Sequence, residues 1–118
     1  MPVSPQRLVD TRYGTGGPVA PLGTNDTRGI AVANVNPVPA NAKAAIVNVT
    51  SVDSSAPSFI TVWPKDSAQP LASTLNPRPG VAVPNQAYLR LGSNGSLDAF
   101  NAHGSTNLIV DVFGYIVG

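Results

Sequence analysis

Two aspartates stand where the chain is otherwise apolar: Asp10, between Val9 and Thr11, and Asp111, inside Leu108-Ile109-Val110-Asp111-Val112-Phe113. An ionised carboxylate left unpaired in an apolar interior costs several kcal/mol, so each requires a cation. Arg7 and Arg12 flank Asp10, and strand alternation sets Asp10 and Arg12 on one face. The expectation is that the first and last strands are neighbours and that Arg12 binds Asp111, Asp10 or both, since a planar guanidinium pairs bidentately with a carboxylate. Such a cluster could be catalytic or hold a cation; it could equally be a buried lock joining the two ends of the chain. The chain has no Glu and one His, so little nearby could supply the rest of a catalytic apparatus, and the lock is favoured.

Nucleophilic catalysis needs a base held beside the nucleophile. The one His, His103, lies in the polar segment Asn101-Ala102-His103-Gly104-Ser105, with Ser105 close by and Asp98 on the preceding run. Groups so near in sequence on a tight connection seldom converge, and no G-x-S-x-G elbow is present. Six dispersed Asp do not mark the facing carboxylates of a glycosidase. One His and no Cys do not make a zinc site, and no D-x-D-x-D-G loop marks a calcium site. No enzyme and no cofactor are expected. Binding fits better, because carbohydrate modules stack sugars on exposed aromatic rings and anchor hydroxyls with polar side chains. Trp63, Tyr88 and Tyr13, with Asn101 and His103, are the candidates. For Trp63 the competing role is core, where a single Trp in a small sandwich usually packs.

The elements that must position these residues are strands. Among 118 residues are 12 Pro and 11 Gly, scattered along the whole chain, and both penalise helix interiors. Between them lie short runs rich in Val, Thr, Asn, Ser and Ala. Runs are expected at residues 7–12, 29–35, 44–51, 59–63, 71–76, 85–91, 96–101 and 106–117. In the third, Ala45, Val47 and Val49 share one face and Ile46, Asn48 and Thr50 the other, half wet face. Gly92-Ser93-Asn94-Gly95 carries the Asn-Gly pair of a type I′ turn and predicts a hairpin between 85–91 and 96–101. The last run is apolar on both faces, as for a strand buried between layers. Seven or eight short strands predict one all-β domain over residues 1–118, an antiparallel sandwich or jelly-roll-like barrel with first and last strands adjacent.

A formal net charge of +1 provides no field for nucleic acid or an anionic membrane surface. No run approaches a membrane span, and the start Met1-Pro2-Val3-Ser4-Pro5 has neither a basic nor an apolar leader region.

Arg7-Leu8-Val9-Asp10-Thr11-Arg12 with its Gly-rich sequel, Ala44 to Thr50, Ser73-Thr74-Leu75-Asn76, Gly80, Asn85 and Asp111-Val112-Phe113-Gly114-Tyr115 together resemble a β-rich module of secreted and cell-surface actinobacterial proteins. That module is often appended to hydrolases or arrayed in tandem. The resemblance spans Arg7 to Tyr115 and implies a non-catalytic accessory or surface domain from actinobacteria or their phages. Because the chain as it stands opens on Met1 without a leader, the expected setting is a virion surface, as a capsid decoration or fibre subunit. Its partners would be copies of itself or capsid and tail proteins. The alternative is a secreted or cell-surface module that binds carbohydrate or cell wall.

Overall fold

Hydrophobic alternation and proline placement divide the chain into seven strands. In the computed structural model, which describes all 118 residues, these are β1 (Pro2–Asp10), β2 (Asp26–Ala31), β3 (Ala42–Val52), β4 (Ile60–Pro64), β5 (Val83–Arg90), β6 (Ser96–Asn101) and β7 (Asn107–Val117), with one 3₁₀ turn at Ser93–Gly95. They form two antiparallel sheets, one ordered β1-β7-β3-β5 and the other β2-β6-β4. The first and last strands are adjacent, with Arg7 opposite Asp111 and Asp10 opposite Ile109.

The core lies between the sheets because every strand with period-2 patterning turns its apolar set inward. Val47 and Val49 of β3 and Leu108, Val110 and Val112 of β7 meet Ile30 of β2, Ile60 and Val62 of β4 and Leu97 and Ala99 of β6; Leu22, Val32, Val38 and Leu75 close the ends. Full burial of such a side chain is worth about 1.5–3 kcal/mol, and these contacts supply the stability that no disulfide provides.

Three expectations are corrected. Residues 71–76 are no strand: only Leu75 bridges to Ile60. The segment instead straps β4, with Ile60 N–H donating to Leu75 O, Val62 N–H to Thr74 Oγ1 and Thr61 Oγ1 to Ala72 O. The expected hairpin is absent as well. Asn94 and Gly95 do adopt positive φ, 56° and 66°, but β5 and β6 belong to different sheets. The Gly95 carbonyl accepts from Val32 and Ala33 N–H. A tight turn constrains local φ and ψ; which strand each arm joins is decided by burial, and Leu97 and Ala99 of β6 are buried whereas β5 has no fully buried residue. Finally, β7 is not covered on both faces. A bulge at Phe113, between Val112 opposite Val47 and Gly114 opposite Ile46, leaves Phe113 exposed, and Asp111 on the outer face is only half-buried.

Candidate functional site

The ion cluster forms at the end of the sandwich where β1 stops. Asp10, 1% exposed, accepts from Arg12 Nε at 3.0 Å on Oδ1 and from Arg12 Nη2 at 2.9 Å on Oδ2. Arg12 N–H adds a third bond at 3.1 Å, and Arg7 Nη1 reaches Oδ2 at 3.4 Å. The Arg12 hydrogen bonds hold the Asp10 carboxyl below the usual carboxylate range, against the opposing pull of burial. The turn that brings Arg12 back is organised by Asp10 itself, whose carbonyl accepts from Tyr13, Gly14 and Thr15 N–H. Gly16 follows at φ 69°, where a Cβ would collide with Leu8 O, so this turn requires glycine.

Asp111 does not pair with Arg12. Its partner is Arg7, with Nε to Oδ1 at 2.9 Å and Nη2 to Oδ2 at 3.4 Å. Arg12 is therefore spent on Asp10, and Arg7 links the two aspartates across β1 and β7. The expected pairing of Asp10 with Arg12 forms, but through the turn after β1 and not along a strand face, because the strand ends at Asp10; the Arg7–Asp111 pair depends on the antiparallel register of two strands about a hundred residues apart in sequence, for which the chain carries no local signal.

Asn101 is fully buried and is a structural hub. Its Nδ2 donates to Gly23 O at 3.0 Å, Gly104 O at 2.9 Å and His103 O at 3.3 Å, and its Oδ1 accepts from Ser58 Oγ at 2.7 Å. That exhausts the amide's donors, and full burial keeps its oxygen from any ligand. Trp63 is 6% exposed and lies outside the central cluster. Its Nε1 donates to Ser67 O at 3.0 Å in the turn directly after β4, and at this exposure it offers no face for stacking. Trp63 thus takes the core role weighed for it from the sequence, and Asn101 serves the fold.

His103 is exposed, and its ring meets Phe59 edge-on with centroids 6.2 Å apart. No triad assembles around it. Asp98 lies 3.4 Å from Lys65 Nζ, and Ser105 is held through its backbone N–H by Ser55 Oγ. No group of three or more His and Asp side chains gathers in metal-ligating proximity.

Besides His103, two candidates remain on the surface. Tyr13, 74% exposed, lies under the Arg12 guanidinium at 5.0 Å, a cation–π contact. Tyr88, 59% exposed, stands at the other end of the large sheet, on its outer face. There a shallow groove of about 420 Å³ is lined by Lys43, Ala44, Tyr88, Arg90, Ile116 and Val117, among others. Neither Lys43 nor Arg90 has an acidic partner. Alternation from Tyr88 to Arg90 is sufficient to place both on one face; Lys43 stands opposite Leu91, in the other phase, and no alternation signals its presence in the groove. The Thr74, Leu75, Asn76 and Asn85 motif borders a second cleft of about 390 Å³, drawn together by Asn85 Nδ2 donating to Thr74 O. No protein-family model and no curated protein matches the chain.

Proposed function

We propose that this chain is a non-catalytic structural and adhesive module displayed on a surface, specifically a capsid decoration or fibre subunit of an actinobacterial phage. The observation that carries the reading is the use of the reactive side chains. Asp10, Arg7, Arg12, Asp111 and Asn101 are engaged with one another or with backbone, and the remaining surface is mostly neutral. A surface with few charges to desolvate suits repeated packing against copies or other coat proteins. The resemblance of the terminal motifs to an actinobacterial surface module supports the source. Immunogold electron microscopy of purified actinobacterial phage particles with an antibody to this chain tests it: regular labelling of capsid or fibre is expected, and uniformly unlabelled particles from the phage that encodes it overturn the reading.

A second reading, a secreted carbohydrate- or cell-wall-binding module, is favoured by the exposed Tyr88 ring set in a groove beside Lys43 and Arg90. Aromatic stacking and cationic anchoring of sugar oxygens are the contacts it would use. A glycan array separates the two, since specific binding abolished by Tyr88→Ala belongs only to this second reading.

A further inference from the structure

Each sheet has two edges, and three of the four are blunted. Strand β1 carries Pro2 and Pro5 and two register shifts against β7. Strand β4 is strapped by residues 72–75. Strand β2 is short and charged, and its Arg28 reaches the carbonyls of Ala20 and Pro21. Prolines, bulges, charges and covering loops are the usual devices against edge-to-edge pairing.

Strand β5 has almost none of them. From Val83 to Arg90 it pairs with β3 in unbroken register. Its only proline is Pro84, at the start, and its only charge is Arg90, at the end. The phase of the ladder follows from one bond: Leu91 N–H donates to Lys43 O at 2.9 Å, which makes Lys43 and Leu91 a hydrogen-bonded pair. Alternation then turns the backbones of Asn85, Ala87 and Leu89 toward β3, and the N–H and C=O groups of Gln86, Tyr88 and Arg90 outward. No backbone group elsewhere in the chain bonds to these three.

We infer that β5 is a self-docking edge, at which a second copy of this chain adds its own β5 antiparallel about a two-fold axis through Tyr88. It rests on the assembly reading above and names the surface that assembles. The occupant is a second copy because the edge is self-complementary in this register. Tyr88 faces Tyr88 of the second copy, an aromatic pair of the type that stabilises sheets. Arg90 faces neutral Gln86, so no like charges meet. On the opposite face the small Ala87 lies beside the larger Leu89, both half-buried in the single chain. Each hydrogen-bonded pair exchanges two backbone bonds. The contact is isologous, so it closes at a dimer, and the joined sheet of eight strands is of ordinary size.

Analytical ultracentrifugation of the intact chain across micromolar to millimolar concentrations tests it. A reversible monomer–dimer equilibrium is expected. Gln86→Pro removes an outward N–H without touching the bonds to β3 and abolishes the dimer. Tyr88→Lys places like charges face to face and weakens it. Gln86→Asp sets a carboxylate opposite Arg90 at two symmetric places and tightens the dimer about 2- to 30-fold at low salt, whereas Gln86→Lys loosens it comparably. Amide exchange of the same samples shows that each variant is folded.

A monomer at every concentration overturns the proposal, as does a dimer indifferent to Gln86→Pro and Gln86→Asp. Protection of the Gln86, Tyr88 and Arg90 amides only when another protein is added assigns the edge to a foreign strand and also overturns it. The outcomes stay separate from the virion reading: a monomer that labels particles refutes the self-docking edge alone, and a β5 dimer absent from particles refutes the virion setting alone.

Discussion

The two ends of the sandwich use polar residues in opposite ways. Where β1 ends and β7 begins, side chains point at backbone and at each other: Asp10 with Arg12 and Arg7, Thr11 Oγ1 with Asn107 and Leu108 N–H, Ser54 with Thr106, and Asn101 with Gly23 and Gly104. Where β5 and β7 end, Tyr88, Arg90 and Lys43 line an open groove with no acidic partner. The stitched end has no β-ladder to satisfy its connecting loops, so side chains must do it, and an unmet buried polar group there costs about 1–3 kcal/mol. The open end already has its ladder inside β3, which frees its outward groups for contact. A polar residue's chemical type therefore says less about function here than which end it occupies.

That contrast is broken most forcefully at Asn101. Asn101→Ala would leave the Gly23 carbonyl without a partner and take one of several bonds from Ser58 Oγ and the Gly104 carbonyl, and lower stability by about 3 kcal/mol in urea unfolding. A loss below about 1 kcal/mol would mean that the stitched end relaxes freely and does not differ from the open one.

Asp10→Asn comes next. Losing the charge-assisted bonds to Arg12 costs about 2 kcal/mol at neutral pH, roughly 6–10 °C in Tm. The native carboxyl is held below its unfolded value of about 3.9 by the Arg12 hydrogen bonds. Above that value both states are ionised and the stabilisation is complete. As pH falls below it the unfolded chain takes up a proton first, and the stabilisation fades until the native carboxyl is protonated too. Urea titrations at about pH 7 and about pH 3 should show a smaller pH-dependent loss in Asp10→Asn than in the parent chain; identical losses would place the acid sensitivity elsewhere.

Much of this arrangement is legible in the sequence. Seven of the eight expected runs fall on strands, period-2 patterning gives the inward face of β3, and apolar flanks around Asp10 demand the cation that Arg12 supplies. What stays hidden depends on register and layer. The pairing of Arg7 with Asp111 needs the alignment of β1 on β7. The Asn94-Gly95 turn has the φ values its residues favour, yet its arms join different sheets, because burial of Leu97 and Ala99 in the second layer outweighs the local preference for a hairpin. Asn101 resembles a ligand anchor because an amide on a polar connection reads the same whether its partners are sugars or carbonyls. Only the convergence of the Gly23, Ser58 and Gly104 loops on it decides.

The smallest effect sharpens the comparison from the other side. Tyr88→Ala removes a ring that is mostly in water on the outer face of an edge strand, and the Tyr88 backbone faces away from β3. The substitution takes away no buried contact in the central cluster and no hydrogen bond of the ladder. Unfolding of the dilute, monomeric chain should therefore shift by no more than about 0.5 kcal/mol, even though the residue lies in the same sheet as Asp10. A loss above about 1 kcal/mol would show that Tyr88 packs against its neighbours Ile46 and Arg90 as part of the fold. In that case the open end would contribute to folding just like the stitched one, and a large exposed tyrosine would no longer mark a surface kept for contact.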